Sequence, residues 1–328
     1  MPEFSYFLIK PNAPFHIGER GVGLEETSIM VHSDTLFGAL CWAWRLLYGE
    51  KDLEELLSQF INNRPPFLLS STFPFIGKTM ILPKPLGGLG ADGFEKRVRR
   101  AQFVSHAIFQ NLAQGQSLEK YEIIHSDPGS IIVTPEEVSG IQDQIGTAFP
   151  WTVSEAPRVT LDRDTNRSDI YYAGDVRFMR TCGLYTLIDF LDNSYRNKLE
   201  GALRLLGDEG LGGERSSGRG FFSVEQGSLF LGSDKGEKSV LLSLYRPRRE
   251  ETSILPDSSY GLLTRRGWIA GKSDKRKKSV RMLVEGSVIP SRSGILGSII
   301  DVGTKDRKDT KGIYSYGLAF QAPTRMAI

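Results

Sequence analysis

The segment 207–222, GDEGLGGERSSGRGFF, has the composition most suggestive of ligand binding in this chain of 328 residues. Its six glycines are interleaved with Arg215, Ser216, Ser217 and Arg219. A backbone without Cβ atoms can approach a ligand closely and turn consecutive N–H groups toward an anion, so phosphate is the predicted ligand. The segment follows a predicted helix and enters a predicted strand, which excludes a Walker loop and a dinucleotide fingerprint. A plain connector remains the alternative.

Two histidines near the N-terminus suggest RNA cleavage as a further option, because a histidine beside a phosphate can act as a general base. His16 precedes a glycine turn, and His32 adjoins Ser33 and Asp34, which occupy a predicted helix N-cap. A structural role or contact with RNA as a neutral side chain is the favoured interpretation of both. Asp34 could mimic a catalytic aspartate, although helix capping is the simpler role. The four histidines and two cysteines lack metal-ligand spacing, so we expect no metal and no disulfide.

Residues 158–179 form two β-rich runs joined by a turn composition at 164–166, with arginines on both limbs. The pattern predicts a basic hairpin that could lie along an RNA backbone and press an apolar residue against an unstacked base. Alternatively, its arginines pair with Asp162, Asp164 and Asp169 and the hairpin is simply solvated.

Charge is distributed unevenly along the chain, although the formal net charge is only +2. From residue 233 onward there are 19 Lys and Arg against 10 Asp and Glu, whereas residues 1–232 have 22 against 29. The basic C-terminal part favours a surface for polyanions, with a solvated charged face as the alternative. Its cations could contact RNA or an acidic patch on a protein partner; they are Arg246, Arg248, Arg249, Arg265, Arg266 and the run 275–278.

The apolar pattern predicts an α+β fold. A strand at FSYFLI, a helix that ends at Gly49 with a second helical piece after it, and a strand at FLLSSTFPF give β-α-β. A strand at 183–191, a helix ending at Gly207 and a strand at 221–224 repeat that order. The prediction is a ferredoxin-like or RRM-like domain over 1–232 with an insertion at about 78–175, followed by a smaller, basic, β-rich domain over 233–328.

Several segments together resemble one family. GLGGERSSGRGFF is similar to the glycine-rich loop of the RAMP proteins of CRISPR systems, and PNAPFHIGERGVGLEETSIMVHSDTLFGAL resembles the N-terminal signature of the type III-A member. RVTLDRDTNRSDIYYAGDVRF resembles its thumb-like hairpin, and SLYRPRREE, RRGWIAG, VEGSVIP and YSYGLAF resemble its C-terminal blocks. The resemblance covers most of the chain and implies the Cas5-like RAMP subunit of a type III-A (Csm) effector complex.

That resemblance implies a set of RNA-binding residues. The glycine loop would cradle phosphates of the CRISPR RNA (crRNA) 5′ handle through Gly212, Gly213, Arg215, Ser216, Ser217, Gly218 and Arg219. The hairpin would contribute Arg158, Arg163 and Arg167. Further expected RNA contacts are His16, Arg20, His32, Ser33, Arg246, Arg248 and Arg249. The chain departs from the family pattern at Lys311-Gly312 and Ser315, where His-Pro and an arginine are expected, which argues against a handle contact there.

The resulting prediction is a non-catalytic subunit without cofactors. It would hold the crRNA 5′ handle, join the large polymerase-like subunit to the backbone subunit, and meet target RNA through the complex. The alternative is a RAMP-type CRISPR-RNA processing endoribonuclease. A host RRM protein is disfavoured because no RNP-type aromatic motif is present. The N-terminus has no signal-peptide pattern and no run near 20 apolar residues occurs, so we expect a cytoplasmic protein without a membrane span.

Overall fold

A computed structural model of the chain describes residues 1–18, 27–87, 96–161, 168–234, 236–269, 272–303 and 312–326. The first part of the chain contains, in order, β1 (Glu3–Pro11), α1 (Ser33–Ile61), β2 (Phe67–Ile76), β3 (Thr79–Pro83), α2 (Lys96–Arg100), β4 (Phe103–Ser105), α3 (His106–Ala113), β5 (Glu122–His125), β6 (Ser130–Val133), α4 (Pro135–Ile145), β7 (Trp151–Leu161), β8 (Ser168–Phe178), β9 (Cys182–Phe190), α5 (Arg196–Glu209) and β10 (Phe222–Phe230). The C-terminal part contains β11 (Lys238–Leu241), β12 (Leu262–Arg265), β13 (Trp268–Ile269), β14 (Lys272–Arg276), β15 (Val280–Leu283), β16 (Val288–Pro290), β17 (Ile300–Asp301), β18 (Tyr314–Ser315) and β19 (Gln321–Thr324).

An eight-stranded sheet organises the first part, with strand order β10-β1-β9-β2-β3-β4-β6-β5. Its first four strands pair antiparallel, and α1 and α5 are the helices of the two β-α-β units β1-α1-β2 and β9-α5-β10. This is the ferredoxin-like arrangement, which confirms the predicted fold class. The inserted segment adds β3 to β6 to the free side of β2, while β7 and β8 form a separate antiparallel hairpin.

Strand β2 lies at the centre of the core because both of its faces are covered. All ten of its residues are buried, and its backbone also bonds to the C-terminal part of the chain. The Ser71 amide donates to the Leu242 carbonyl at 2.8 Å, and the Tyr316 hydroxyl accepts from the Leu69 amide at 2.9 Å. A single hydrophobic cluster runs from β1 and α1 into β11 and β19, so the two parts of the chain share a core.

Three of the differences between predicted and observed element ends are informative. Helix α1 begins one residue earlier than predicted, with His32 as the N-cap, so Ser33 and Asp34 lie in the first turn rather than capping it. Helix α5 continues through Gly207 to Glu209, because Gly207 is a packing residue: a Cβ there would be 2.3 Å from the Phe222 carbonyl oxygen. Strand β10 is longer than predicted. The predicted interruption at Gly49 is confirmed by its φ of 83° and ψ of 175°.

The C-terminal part consists of short strands. β11 pairs with β16 and β19, and β12-β15, β13-β14 and β17-β18 form three two-stranded ribbons. The helical segment described here is a 3-10 turn over Arg249–Asp257. Strands β10 and β11 lie on either side of residue 232, and the domain boundary at that position stays a prediction. Within the described ranges, none of the helices is both long and apolar enough to cross a membrane.

Candidate nucleic-acid interface

A cleft of about 550 Å³ opens where the ferredoxin-like part meets the C-terminal ribbons. Its walls include one face of the first turns of α1, the glycine loop (residues 207–222), and the ends of β12 and β15. The lining side chains and glycines that concern the chemistry are Asp34, Thr35, Gly38, Ala39, Trp42, Gly210, Gly212, Gly213, Arg215, Arg265, Arg266, Lys277 and Lys278. The predicted phosphate loop therefore does line a cleft.

The inner glycines of the loop approach protein backbone. Gly212 has a φ of 99°, and a Cβ added there would be 2.3 Å from the His16 carbonyl oxygen. The Gly213 amide donates to that same oxygen at 2.8 Å, and a Cβ on Gly213 would be 2.7 Å from the His16 ring. The two glycines thus bring the loop close to the segment around His16. Both also line the cleft, so their contact with a ligand stays a prediction.

The amides of the loop are largely used inside the protein. The amides of Leu211 and Gly220 donate to Gly220 and Pro14 carbonyls, and those of Ser217 and Gly218 close the 3-10 turn over Arg215–Ser217. These four amides are therefore not free donors, and the presentation of consecutive N–H groups to an anion by other residues of the loop stays a prediction. What the loop offers to the cleft is the exposed side chain of Arg215, with Ser216 and Ser217 exposed beside it.

Arg219 has a structural partner, and its predicted phosphate contact stays a prediction. Its Nε and Nη2 atoms each donate to the Asp175 carboxylate at 2.8 Å, and the carboxylate side chain is 1% exposed. This bidentate pair fastens the glycine loop to strand β8. Binding RNA through the same edge would leave a buried carboxylate without its partner, which is strongly unfavourable, so a phosphate contact would have to use Nη1.

The predicted RNA contacts of His16, His32 and Ser33 are corrected, because all three residues are buried. The His16 Nδ1 lies 2.7 Å from the Gly174 carbonyl oxygen. The Ser33 hydroxyl accepts from the Leu244 amide at 3.1 Å. These side chains hold the elements behind the cleft together.

His32 forms a buried ion pair with Glu285, with 2.8 Å between its Nδ1 and the Glu285 Oε1. Burial alone disfavours the imidazolium, but the carboxylate of Glu285 outweighs that effect and raises the pKa of His32. Burial likewise opposes ionisation of Glu285, yet His32 and the Ser71 hydroxyl lower the pKa of Glu285. The pair joins the start of α1 to the C-terminal part.

A second buried pair faces the cleft itself. Arg265 Nε donates to Asp34 Oδ2 at 2.9 Å, and Arg265 Nη2 donates to the Thr35 hydroxyl at 2.8 Å. Asp34 is the one carboxylate among the described residues that line the cleft, and this pair neutralises it. The cleft keeps an excess of positive charge from Arg215, Arg266, Lys277 and Lys278, which suits an anionic ligand.

The other predicted arginines lie outside the cleft or outside the described residues. Arg158 is on β7, and its Nε and Nη2 are enclosed without a hydrogen-bond partner in the described part of the chain. Arg248 bonds Glu251 at 2.6 Å and the Ile295 carbonyl at 2.8 Å, a structural role that corrects its predicted RNA contact. Arg246 and Arg249 are exposed and remain predictions. Arg20, Arg163, Arg167 and Lys311 fall outside the described residues.

Comparison with known families decides the relationship. The model described as the RAMP superfamily matches residues 9–223, which is more than half of the chain, and the model described as the CRISPR Csm4 C-terminal domain matches residues 234–324. The chain belongs to the RAMP superfamily, and its C-terminal part matches the Csm4 C-terminal domain. The glycine loop and α1 lie in the first matched region and the ribbons in the second, so residues from both regions form the cleft.

Relatives and solved structures agree with that assignment. The chain is 29% identical to the CRISPR system Cms protein Csm4 of Thermococcus onnurineus, over 98% of this chain and 96% of that protein. It is 25% identical to the Csm4 protein of Methanocaldococcus jannaschii, over 92% and 89%. A chain of the Csm3-Csm4 subcomplex of a type III-A interference complex matches with a TM-score of 0.69 at 21% identity, over 98% and 99%. A chain of a Csm1-Csm4 cassette in complex with cA4 matches with a TM-score of 0.61 at 24% identity, over 100% of both. These two structures support the fold.

Sequence reasoning missed Trp42 as a cleft residue and did not single out Arg266, Lys277 and Lys278 from the other C-terminal cations. A signal for Trp42 was available, because it stands outside the predicted apolar face of α1, which Leu36, Leu40 and Trp44 define. No comparable signal marked the cations. They meet only because the ribbon β12-β15 folds against the start of α1.

Proposed function

We propose that this chain is the Csm4 subunit of a type III-A CRISPR effector complex and that its cleft holds the 5′ handle of the crRNA. The observation that carries the proposal is the cleft's charge: Arg215, Arg266, Lys277 and Lys278 line it, and its carboxylate is already paired with Arg265. Cations that are not paired internally can neutralise the phosphates of a single strand, and such contacts supply position and affinity.

The proposed partners follow from the relatives. Solved structures contain Csm4 chains with Csm1 and with Csm3, and we extend that arrangement to this chain. It would join a large polymerase-like subunit to a backbone subunit in the cytoplasm and meet target RNA through the complex. Within the chain, we propose a RAMP domain over 1–232 and a basic β-rich domain over 233–328.

We further propose that the chain binds RNA without cutting it. The two candidate general bases, His16 and His32, are buried, and His32 is paired with Glu285, which argues against either of them acting on a phosphate. Purified chain incubated with CRISPR repeat RNA in chelator tests this. Intact RNA is expected, whereas cleavage at a fixed position would favour the processing endoribonuclease.

The handle site is tested by the salt dependence of RNA binding to the full chain. Arg215→Ala and Lys277→Ala should each weaken binding and shallow the slope of log K against log[salt] by about 0.7, because each removes one phosphate contact. Lys51→Ala is the matched control: Lys51 is exposed, lies beyond the break at Gly49 and does not line the cleft. The proposed handle site would be contradicted if the salt slope changed in none of the three variants, or by the same amount in all of them.

A further inference from the structure

Helix α1 presents an unusual stripe to the cleft. Asp34, Gly38 and Trp42 follow one another at four-residue spacing, so they lie on one face of the helix and all three line the cleft. A Cβ added at Gly38 would meet no atom within 4 Å, so the space above this glycine is open. This face of α1 therefore has no side chain above Gly38 and ends at the indole ring of Trp42.

The hydrophobic core does not account for Trp42. Trp42 is 38% exposed and, among the described residues, takes no part in the core, whereas Trp44 is 1% exposed and packs within it. The Arg45 guanidinium lies 4.6 Å from the centroid of the Trp42 ring, an interaction that favours this position of the indole on the surface. An indole held in place beside a cleft is suited to stack on a planar ligand.

The opposite side of the same cleft is cationic. Arg266 and Lys278 are exposed, Lys277 is half-buried, and the amides of Lys277 and Lys278 are anchored to the Gly267 and Val302 carbonyls. A ligand that matches this cleft must combine a planar face with negative charge close by. Nucleotides have that combination, because every base offers a π-face and every linkage a phosphate.

We propose that Trp42 is a stacking platform for one unstacked base of the single-stranded RNA in the cleft, with the phosphates beside that base on Arg266, Lys277 and Lys278. This inference rests on the proposed function, because the RNA must enter the cleft. The stack would run guanidinium, indole and base, and it would add affinity with little preference among bases.

The experiment uses the full chain and measures binding of a short single-stranded RNA with the handle sequence, together with the quenching of tryptophan fluorescence. Trp42→Ala should weaken binding roughly tenfold or more and abolish most of the quenching. Trp42→Phe should keep most of the affinity, because phenylalanine can still stack. The control is Leu46→Ala, whose side chain is 50% exposed one turn further along α1 but does not line the cleft. Thermal unfolding of each variant checks the fold.

The outcomes separate this inference from the proposed function. If Arg215→Ala weakens RNA binding and Trp42→Ala does not, the handle site stands and the stacking platform is wrong. A different result would be that Trp42→Ala and Leu46→Ala both weaken binding of a partner subunit and leave RNA binding unchanged. In that case this face of α1 binds protein and the inference is wrong. If ATP quenches the tryptophan fluorescence as much as RNA does, or more, Trp42 stacks on a free nucleotide and is not an RNA site. Loss of binding confined to Trp42→Ala, with Trp42→Phe retained, supports it.

Discussion

The two sides of the cleft are built in different ways. On the ferredoxin-like side the glycine loop is shaped by backbone contacts, with Gly212 and Gly213 pressed against His16 and most loop amides bonded internally. The ribbon side contributes positive charge to the cleft through Arg266, Lys277 and Lys278. The glycine motif therefore provides a closely packed surface and one cation, Arg215, while the other cations of the cleft come from another part of the chain.

The largest expected effect comes from breaking the ion pair that joins the two sides. Arg265→Met would leave the Asp34 carboxylate, 11% exposed, without its guanidinium, and removing one partner of a buried pair costs about 3–5 kcal/mol. Denaturant unfolding should show that loss of stability. Arg266→Met is the control, because Arg266 is exposed and should change stability by no more than about 0.5 kcal/mol. Equal effects of the two variants would mean that the Asp34 pair does not stabilise the fold.

The backbone contacts on the ferredoxin-like side of the cleft are tested by Gly212→Ala. The new Cβ would be 2.3 Å from the His16 carbonyl oxygen on a backbone with φ of 99°, so either the loop or the His16 segment must move. Backbone strain of this kind costs about 1–3 kcal/mol, and the clash places this variant at the upper end. Unfolding measurements should show the loss, and RNA affinity should fall as well because Arg215 moves with the loop. A fully stable variant with normal affinity would contradict the contact.

The difference between the two sides of the cleft also explains which features of the fold and the site could be predicted from the sequence. The ferredoxin-like order, the break at Gly49 and the position of the glycine loop follow from local patterns of glycines and apolar residues. The roles of His16 and Arg219 do not, because their partners Gly174 and Asp175 lie on a hairpin more than 40 residues away in sequence. A charged residue in a motif looks the same whether its partner is a phosphate or a buried carboxylate. Only the tertiary fold distinguishes them.

A smaller effect is expected from Gly218→Ala, the matched change on the outer side of the same loop. Gly218 has φ of 78° and ψ of 30°, a left-handed conformation, but a Cβ there meets nothing within 4 Å. The cost should be about 1–2 kcal/mol of conformational strain without a clash. Unfolding free energies of the Gly212 and Gly218 variants, measured side by side, separate close packing from turn geometry. If Gly218→Ala is the more damaging of the two, contact with His16 is not what shapes the loop.

The smallest effect concerns the pH dependence of the His32 and Glu285 pair behind the cleft. The pKa of His32 is raised from 6.5, so protonated His32 adds stability below pH 6.5 that is lost as pH rises through its pKa in the folded protein. The pKa of Glu285 is lowered from 4.5, so its contribution is present above pH 4.5 and lost as pH falls through its own folded pKa.

The pair should therefore contribute its full stabilisation between pH 4.5 and pH 6.5 and less at alkaline pH. The change is modest because neutral His32 can still donate its Nδ1 proton to Glu285, whose Oε1 lies 2.8 Å away. The measurement is the free energy of unfolding of the wild type and of His32→Gln from about pH 5 to pH 9. The difference between them should shrink as pH rises, because the variant has no imidazolium to lose. A difference that stays constant over that range would mean that His32 is neutral in the folded protein and that a hydrogen bond alone joins α1 to the C-terminal part.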